Sequence, residues 1–259
     1  MSSRLRAIAR ETVEIAERGA YGDVVIGEQV SRAVSGTRLY LPDDELAAPG
    51  KVNNSPRIEV TGETTLEAAY RLGGDVTALN FASARKAGGG FLNGAVAQEE
   101  SLARSSALYP CLRAAGDFYA YHRAHTDPMY TDRVIYSPAV PVFRNDRGEL
   151  LPAAYPVSFL TAAAPNRSAM TGTRPELLAT LPEVLTRRAT RILAVAAAHG
   201  HRRLVLGAWG CGVFGNDPAT VADAFATALS AGPWFDEIVF AILDRQPRTP
   251  TRTPFERLS

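Results

Sequence analysis

NFASARKAGGGFLNGAVAQEE, residues 80–100, joins an apolar strand signal to three consecutive glycines and then to two adjacent glutamates. Glycine loses more backbone freedom on folding than any other residue. Neighbouring carboxylates repel, so the stretch carries two penalties and calls for a reason beyond stability. Upstream, VTALNFAS (76–83) reads as an apolar strand that runs straight into the glycines. Downstream, GAVAQEESLARSSALY (94–109) is rich in helix formers and meets no proline until Pro110. Strand, glycine loop and helix make the unit of an α/β fold, whose ligands collect where loops leave the carboxyl ends of strands.

The same alternation extends along the chain. Leu5, Ile8, Thr12 and Ile15 recur at helical spacing between a capping serine and Gly19. RIEVTGETTLEAAYRLGG (57–74) predicts a strand and a helix stopped at Gly73-Gly74, and LRAAGDFYAYHRAH (112–125) is helical. RVIYSPAVPVF (133–143) and VSFLTAAA (157–164) are strand candidates around the turn-like RNDRGEL (144–150). Residues 174–200 form a long helical stretch, broken or kinked near Pro182 and ended by Gly200. RRLVLGAW (202–209), DPATVADAFATALS (217–230) and EIVFAILD (237–244) read as strand, helix and strand. The proline- and arginine-rich tail, 245–259, is expected to be extended or loosely attached. With no repeat and no linker, the pattern predicts one α/β domain over 1–259 with a mixed, largely buried sheet. Residues 1–56 form an N-terminal helical extension packed on it.

Composition removes several function classes. A chain of 259 residues with 46% hydrophobic residues supports a full core. Its 28 basic and 27 acidic residues leave a net charge of +1, so the molecule as a whole carries no polyanion footprint, and no direct nucleic-acid partner is expected. Cys111 and Cys211 make no disulfide framework, and His122, His125, His199 and His201 make no zinc spacing with them. No metal and no cofactor are expected. The charged N-terminus is no signal peptide and no apolar run could span a bilayer, so the expectation is a cytoplasmic protein without a membrane partner.

A second glycine-rich loop, GAWGCGVFGND (207–217), follows the 202–209 strand. Gly210, Gly212 and Gly215 formally match the dinucleotide fingerprint G-x-G-x-x-G. Asp217-Pro218, however, caps the next helix beyond the glycines, and Asp244 lies 29 positions past Gly215 rather than the usual ~20. Two glycine loops whose amides can approach an anion suggest instead a ligand with phosphates between more elaborate ends. Glu99 and Glu100 lie early on the helix after the first loop. A carboxyl beside a carboxylate and shielded from water favours its acid form, which suits protonation of a leaving glycosidic oxygen.

GGG, seven residues, then QEE resembles the signature of the bacterial-type poly(ADP-ribose) glycohydrolases, and GAWGCGVFGND is similar to a second loop of that family. The resemblance implies a macrodomain, a three-layer α/β/α sandwich, that hydrolyses the ribose–ribose bonds of poly(ADP-ribose) from the chain end. ADP-ribose is then the product, and ADP-ribosylated proteins are the partners. It implies that Glu100 is the catalytic acid and that Glu99, with Gln98 beside it, holds ribose hydroxyls. Gly88, Gly89 and Gly90 would bring the backbone to the distal ribose and diphosphate. Gly207, Ala208, Gly210, Cys211, Gly212, Val213 and Gly215 would form the diphosphate loop, and Phe214 would press on the terminal ribose. Cys211 reads as a packing residue rather than a nucleophile. One departure stands out: where many macrodomains carry an asparagine five residues before the triple glycine, this chain has Ser83, so that either Asn80 and Asn93 or backbone groups take its place, and Ser83, Asn80 and Asn93 are all candidate binding residues.

Overall fold

In the computed structural model, which describes residues 2–47, 50 and 55–259, helix α1 (Ser3–Arg18) opens the chain. The Ser2 hydroxyl accepts from the Leu5 N–H at 3.4 Å. At the other end Gly19, at φ +73°, donates to the Ile15 carbonyl and closes the helix. A two-strand ribbon, β1 (Ala20–Tyr21) and β2 (Val24–Val25), leads to α2 (Gly27–Gly36) and β3 (Arg38–Tyr40), none of which the sequence pattern predicts. β4 (Arg57–Thr61), α3 (Thr65–Leu72) and β5 (Val76–Phe81) follow, α3 being started by a capping box between Thr64 and Glu67. A 3₁₀ turn at Phe91–Asn93 precedes α4 (Gln98–Ser105), α5 (Leu108–Ala114) and α6 (Gly116–Ala124). Next come β6 (Val134–Arg144), β7 (Leu150–Ala162), α7 (Arg167–Thr173), α8 (Leu181–Ala198), β8 (Arg203–Leu206), α9 (Pro218–Leu229) and β9 (Glu237–Ala241). The expected extension, 1–56, includes Met1, Ala48, Pro49 and 51–54, which lie outside the described residues.

One seven-stranded sheet runs β3-β6-β7-β5-β8-β9-β4. β7, β5, β8, β9 and β4 are mutually parallel, whereas β6 runs antiparallel to both β3 and β7. Alternation along the central strands shows why they read as continuous apolar runs. Val205, Val239 and Ala78 face one core with Leu66, Leu102, Leu108 and Phe118. Leu204, Ile238, Phe240 and Leu79 face the other with Ile192, Leu193, Val221 and Phe225. Both faces of the sheet are covered by helices, so the central strands are mostly apolar on both faces. The result is the expected α/β/α sandwich.

Two elements differ from their sequence reading, and one expected break is found. β7 starts at Leu150, because the 144–150 turn closes a hairpin and pairing with β6 carries the strand back through Pro152 and Pro156. The 174–200 stretch is broken beside Pro182, as expected: a 3₁₀ turn at Pro175–Thr180 ends before it and the proline occupies the first turn of α8, where no hydrogen bond is lost. The tail is not loose. It ends in a 3₁₀ turn at Thr253–Leu258 with Phe255 fully buried against Phe240, centroids 5.5 Å apart, while Arg257 pairs with Asp223 at 2.6 Å. A single aromatic anchor overrides the disorder-like composition around it. Among the described residues no helix is long and apolar enough to cross a membrane.

Candidate active site

Three side chains at the start of α4 are held by the end of β5 and the loop beyond it. The Gln98 amide donates to the Leu79 carbonyl at 2.7 Å and to Thr65 Oγ1 at 3.1 Å, and its oxygen accepts from the Phe81 N–H at 2.9 Å. Glu99 accepts from the Ser83 N–H at 2.7 Å and from the Asn80 side-chain amide at 3.4 Å. Asn80 is itself fastened to Thr161 Oγ1 on β7 at 3.1 Å. Glu100 accepts from the Gly90 N–H at 2.9 Å. The two glutamates, adjacent on the helix, therefore flank the glycine loop.

That arrangement explains the glycines. Gly88 and Gly89 sit at φ +66° and +59°, where a side chain is strained. A Cβ on Gly89 would also collide with Glu100 Oε1 and come within 3.0 Å of Glu99 Oε2. One on Gly88 would meet the Phe91 ring at 2.9 Å, and one on Gly90 the Ala95 methyl at 2.9 Å. The loop is bare so that its backbone can lie against two carboxyl groups.

Those carboxyls differ in burial. Glu99 is only 3% exposed, whereas Glu100 is half-buried. Burial, with a smaller push from the Glu100 charge, raises the Glu99 carboxyl to about 8, against the opposing bonds from Ser83, Asn80 and Gly88. At neutral pH the pair therefore keeps at least one proton. The Tyr119 phenol, buried near Glu99, is likewise pushed well above its ordinary range.

A stability consequence follows with a definite sign. The folded chain binds the Glu99 proton more tightly than the unfolded chain, so this contribution is complete below the ordinary glutamate pKa of 4.5 and is lost as pH rises through about 8. Urea unfolding of the native chain, compared with Glu99→Gln, should show the difference in stability declining from about pH 5 to pH 8, by at most about 5 kcal/mol. A pH-independent difference would place the retained proton elsewhere.

The second loop is built differently. Trp209 is buried with its indole N–H on the Ala162 carbonyl at 3.0 Å, and buried Asn216 donates to the Pro165 and Gly210 carbonyls at 2.8 and 3.2 Å. Gly210 and Gly215 have positive φ, and Gly207 passes so close to β9 that a Cβ would meet the Ala241 carbonyl at 2.8 Å. Among the described residues, the successive N–H groups of Gly212, Val213 and Phe214 have no acceptor. Three free amides in a row form a concavity suited to an anion. Burial, then Asp217, pushes the Cys211 thiol up to about 12, which removes it as a nucleophile.

At the carboxyl ends of β4, β5, β8 and β9 lies a cavity of about 590 Å³. Thr65, Phe81, Gln98, Ala208, Ala241 and Asp244 are among its walls, and Gln246 and Thr251 of the docked tail close one side. α4 begins there with no side-chain cap, so the helix start presents free amides to it.

The sequence profile of the microbial-type poly(ADP-ribose) glycohydrolase catalytic domain matches residues 9–145. The chain belongs to that family. It is accordingly a glycosidase of poly(ADP-ribose). The crystal structure of poly(ADP-ribose) glycohydrolase from Thermomonospora curvata is 52% identical, with 99% of each chain covered and a TM-score of 0.92. The structure of that enzyme bound to the inhibitor ADP-HPD is 50% identical over 100% of both chains, TM-score 0.90. The Deinococcus radiodurans enzyme in complex with ADP-ribose is 45% identical over 88% of this chain and 95% of its own, TM-score 0.82. No curated protein matches.

In this glycohydrolase the residues singled out from sequence separate into distinct positions. Glu99, Glu100 and the three glycines come together. Gln98 borders the cavity, yet its amide is taken up by α3 and β5. Asn80 is wholly buried behind Glu99, and Ser83 holds Glu99 through its backbone N–H while its hydroxyl accepts from the Arg85 and Lys86 amides. Asn93 is exposed at the end of the 3₁₀ turn. Phe214 packs its ring 5.9 Å from Tyr130. Sequence reasoning missed Thr65, Thr161 and Tyr119, which come from distant segments and carry no motif.

Proposed function

We propose that Glu100 is the general acid and Glu99 the group that fixes the reacting ribose. Supporting this is the asymmetry of the pair, both of which face Gly89: Glu100 is the more exposed carboxyl, and Glu99, 3% exposed, is fixed in place by Asn80 and Ser83. Glu100 protonates the 2′-oxygen of the departing ribose as the C1″–O bond breaks. Water adds to the oxocarbenium-like carbon, and Glu100 takes the proton that the water releases. The free amides of Gly212, Val213 and Phe214 receive the diphosphate, Phe214 lies against the terminal ribose, and the cavity of about 590 Å³ takes the adenosine end.

The docked tail lines one side of the cavity through Gln246 and Thr251, which supports cleavage from the chain end: folded chain beside the adenosine leaves less room for a polymer to continue past it. The substrates are then poly(ADP-ribose) chains on ADP-ribosylated proteins of the cytoplasm. Product sizing over time on automodified poly(ADP-ribose) tests this. Monomeric ADP-ribose should be the sole small product from the earliest points; early short oligomers would overturn the chain-end reading.

A further inference from the structure

The two loops and the cavity account for one ADP-ribose unit. On another side of the glycine loop lies a group of cations that this site does not use. Arg85 and Lys86 are exposed, in the turn between Ser83 and Gly88. Arg123, exposed at the end of α6, donates to the Arg85 carbonyl at 3.0 Å. Arg133 lies 3.4 Å above the centre of the Tyr121 ring, and Tyr121 in turn stacks on His125 at 3.9 Å and 13°. Neither Arg85, Lys86, Arg123 nor Arg133 makes an ion pair among the described residues, whereas Arg71, Arg144, Arg187 and Arg188 are all held by carboxylates. The acids in the adjoining segment are committed elsewhere: Asp127 accepts from the Met129 N–H, and Asp132 is shared by Arg187 and Arg188.

An aromatic path connects this cluster to the diphosphate loop. Phe214 meets Tyr130 at 5.9 Å, Tyr130 meets His122 at 5.6 Å, and His122 meets Tyr121 at 5.6 Å. Tyr130 is held at φ +56°, a backbone region that a tyrosine rarely adopts. Four uncompensated cations, with rings between them, suit a ligand that alternates phosphates with flat bases. None of these residues borders the cavity assigned to the first unit.

We infer that Arg85, Lys86, Arg123 and Arg133, with the Tyr121–His125 stack, form a subsite for the next ADP-ribose unit of the chain, on the leaving-group side of the scissile bond. The inference rests on the polymer reading above. The cations meet that unit's diphosphate, and exposed His125, stacked on Tyr121, offers its outer face to the adenine. The subsite explains how a protein of net charge +1 can hold a polyanion: the charge is local and stands beside the carboxyl pair.

The test compares the native chain with Arg85→Gln/Lys86→Gln/Arg123→Gln/Arg133→Gln. Steady-state kinetics are read on long poly(ADP-ribose), with free ADP-ribose binding measured in parallel. The variant should raise KM for the polymer by about 10–50-fold at low salt, leave kcat and ADP-ribose affinity within about twofold, and flatten the salt dependence of log KM by about 1.5, as expected for two phosphates. An unchanged polymer KM overturns the subsite. A parallel loss of ADP-ribose affinity also overturns it, by placing the cluster in the first unit's site. Loss of binding to a single-stranded oligonucleotide with polymer KM unchanged does so too, and points to nucleic acid. Since Arg123 braces the Arg85 carbonyl, Lys86→Gln/Arg133→Gln, which keeps that bond, should show a smaller shift in the same direction. Direct binding of labelled polymer accompanies the kinetics. If the native chain released no ADP-ribose, the polymer reading would fall while the binding comparison still judged the cluster.

Discussion

Glu100→Gln is expected to lower turnover of poly(ADP-ribose) by ~10³–10⁴-fold while ADP-ribose remains bound. The substitution keeps the shape of the side chain and an oxygen to accept from the Gly90 N–H, so the 2.9 Å contact that holds the loop survives. What disappears is the ability to give and retake a proton. Glu100 is only half-buried, so melting temperature should barely move. Single-turnover release of ADP-ribose, with ADP-ribose binding as the control, decides the matter. A loss smaller than about tenfold would mean that the proton comes from another group. Loss of binding together with turnover would make Glu100 a substrate clamp.

Gly89→Ala should be nearly as damaging for a different reason. At φ +59° a non-glycine residue is strained by about 1–2 kcal/mol, before any contact is considered. The added methyl would then overlap Glu100 Oε1 and stand 3.0 Å from Glu99 Oε2. Neither carboxyl can yield easily, since Glu99 is buried on Ser83 and Asn80 and Glu100 is tied to Gly90. The expected outcome is a ~10²–10³-fold fall in kcat/KM, because displacing a positioned group by about 1 Å has that consequence. An accompanying stability loss of about 2–3 kcal/mol should appear in urea unfolding. Gly116→Ala is the matched control: at the start of α6 its Cβ would meet nothing within 4 Å and its φ is not positive. Equal activity of the two variants would show that the bare loop serves something other than the carboxyl pair.

How far the sequence reaches can be judged residue by residue. Ser2 and Asp217 each announce a helix start, because a cap is a contact between residues three apart and needs no partner from elsewhere. The triple glycine and the glutamates that follow it are similarly local, one strand-loop-helix unit, and the site around them is legible for that reason. α2 and β3 are not legible: α2 has no side-chain cap, and β3, three residues long, owes its strand geometry to pairing with β6. Phe255 is one aromatic among prolines and arginines, and only the pocket beside Phe240 turns the tail into a wall of the cavity.

Within the site the same division holds. The chain by itself determined that two carboxyl groups would stand beside a loop with no side chains, since helix and loop are neighbours in sequence. Which of the two would be buried, and so keep its proton to about pH 8, was decided by the sheet. Asn80 on β5, tied to Thr161 on β7 81 positions away, packs against Glu99, which is left 3% exposed. Desolvation is a property of everything packed around a group, and no window of sequence contains its neighbours.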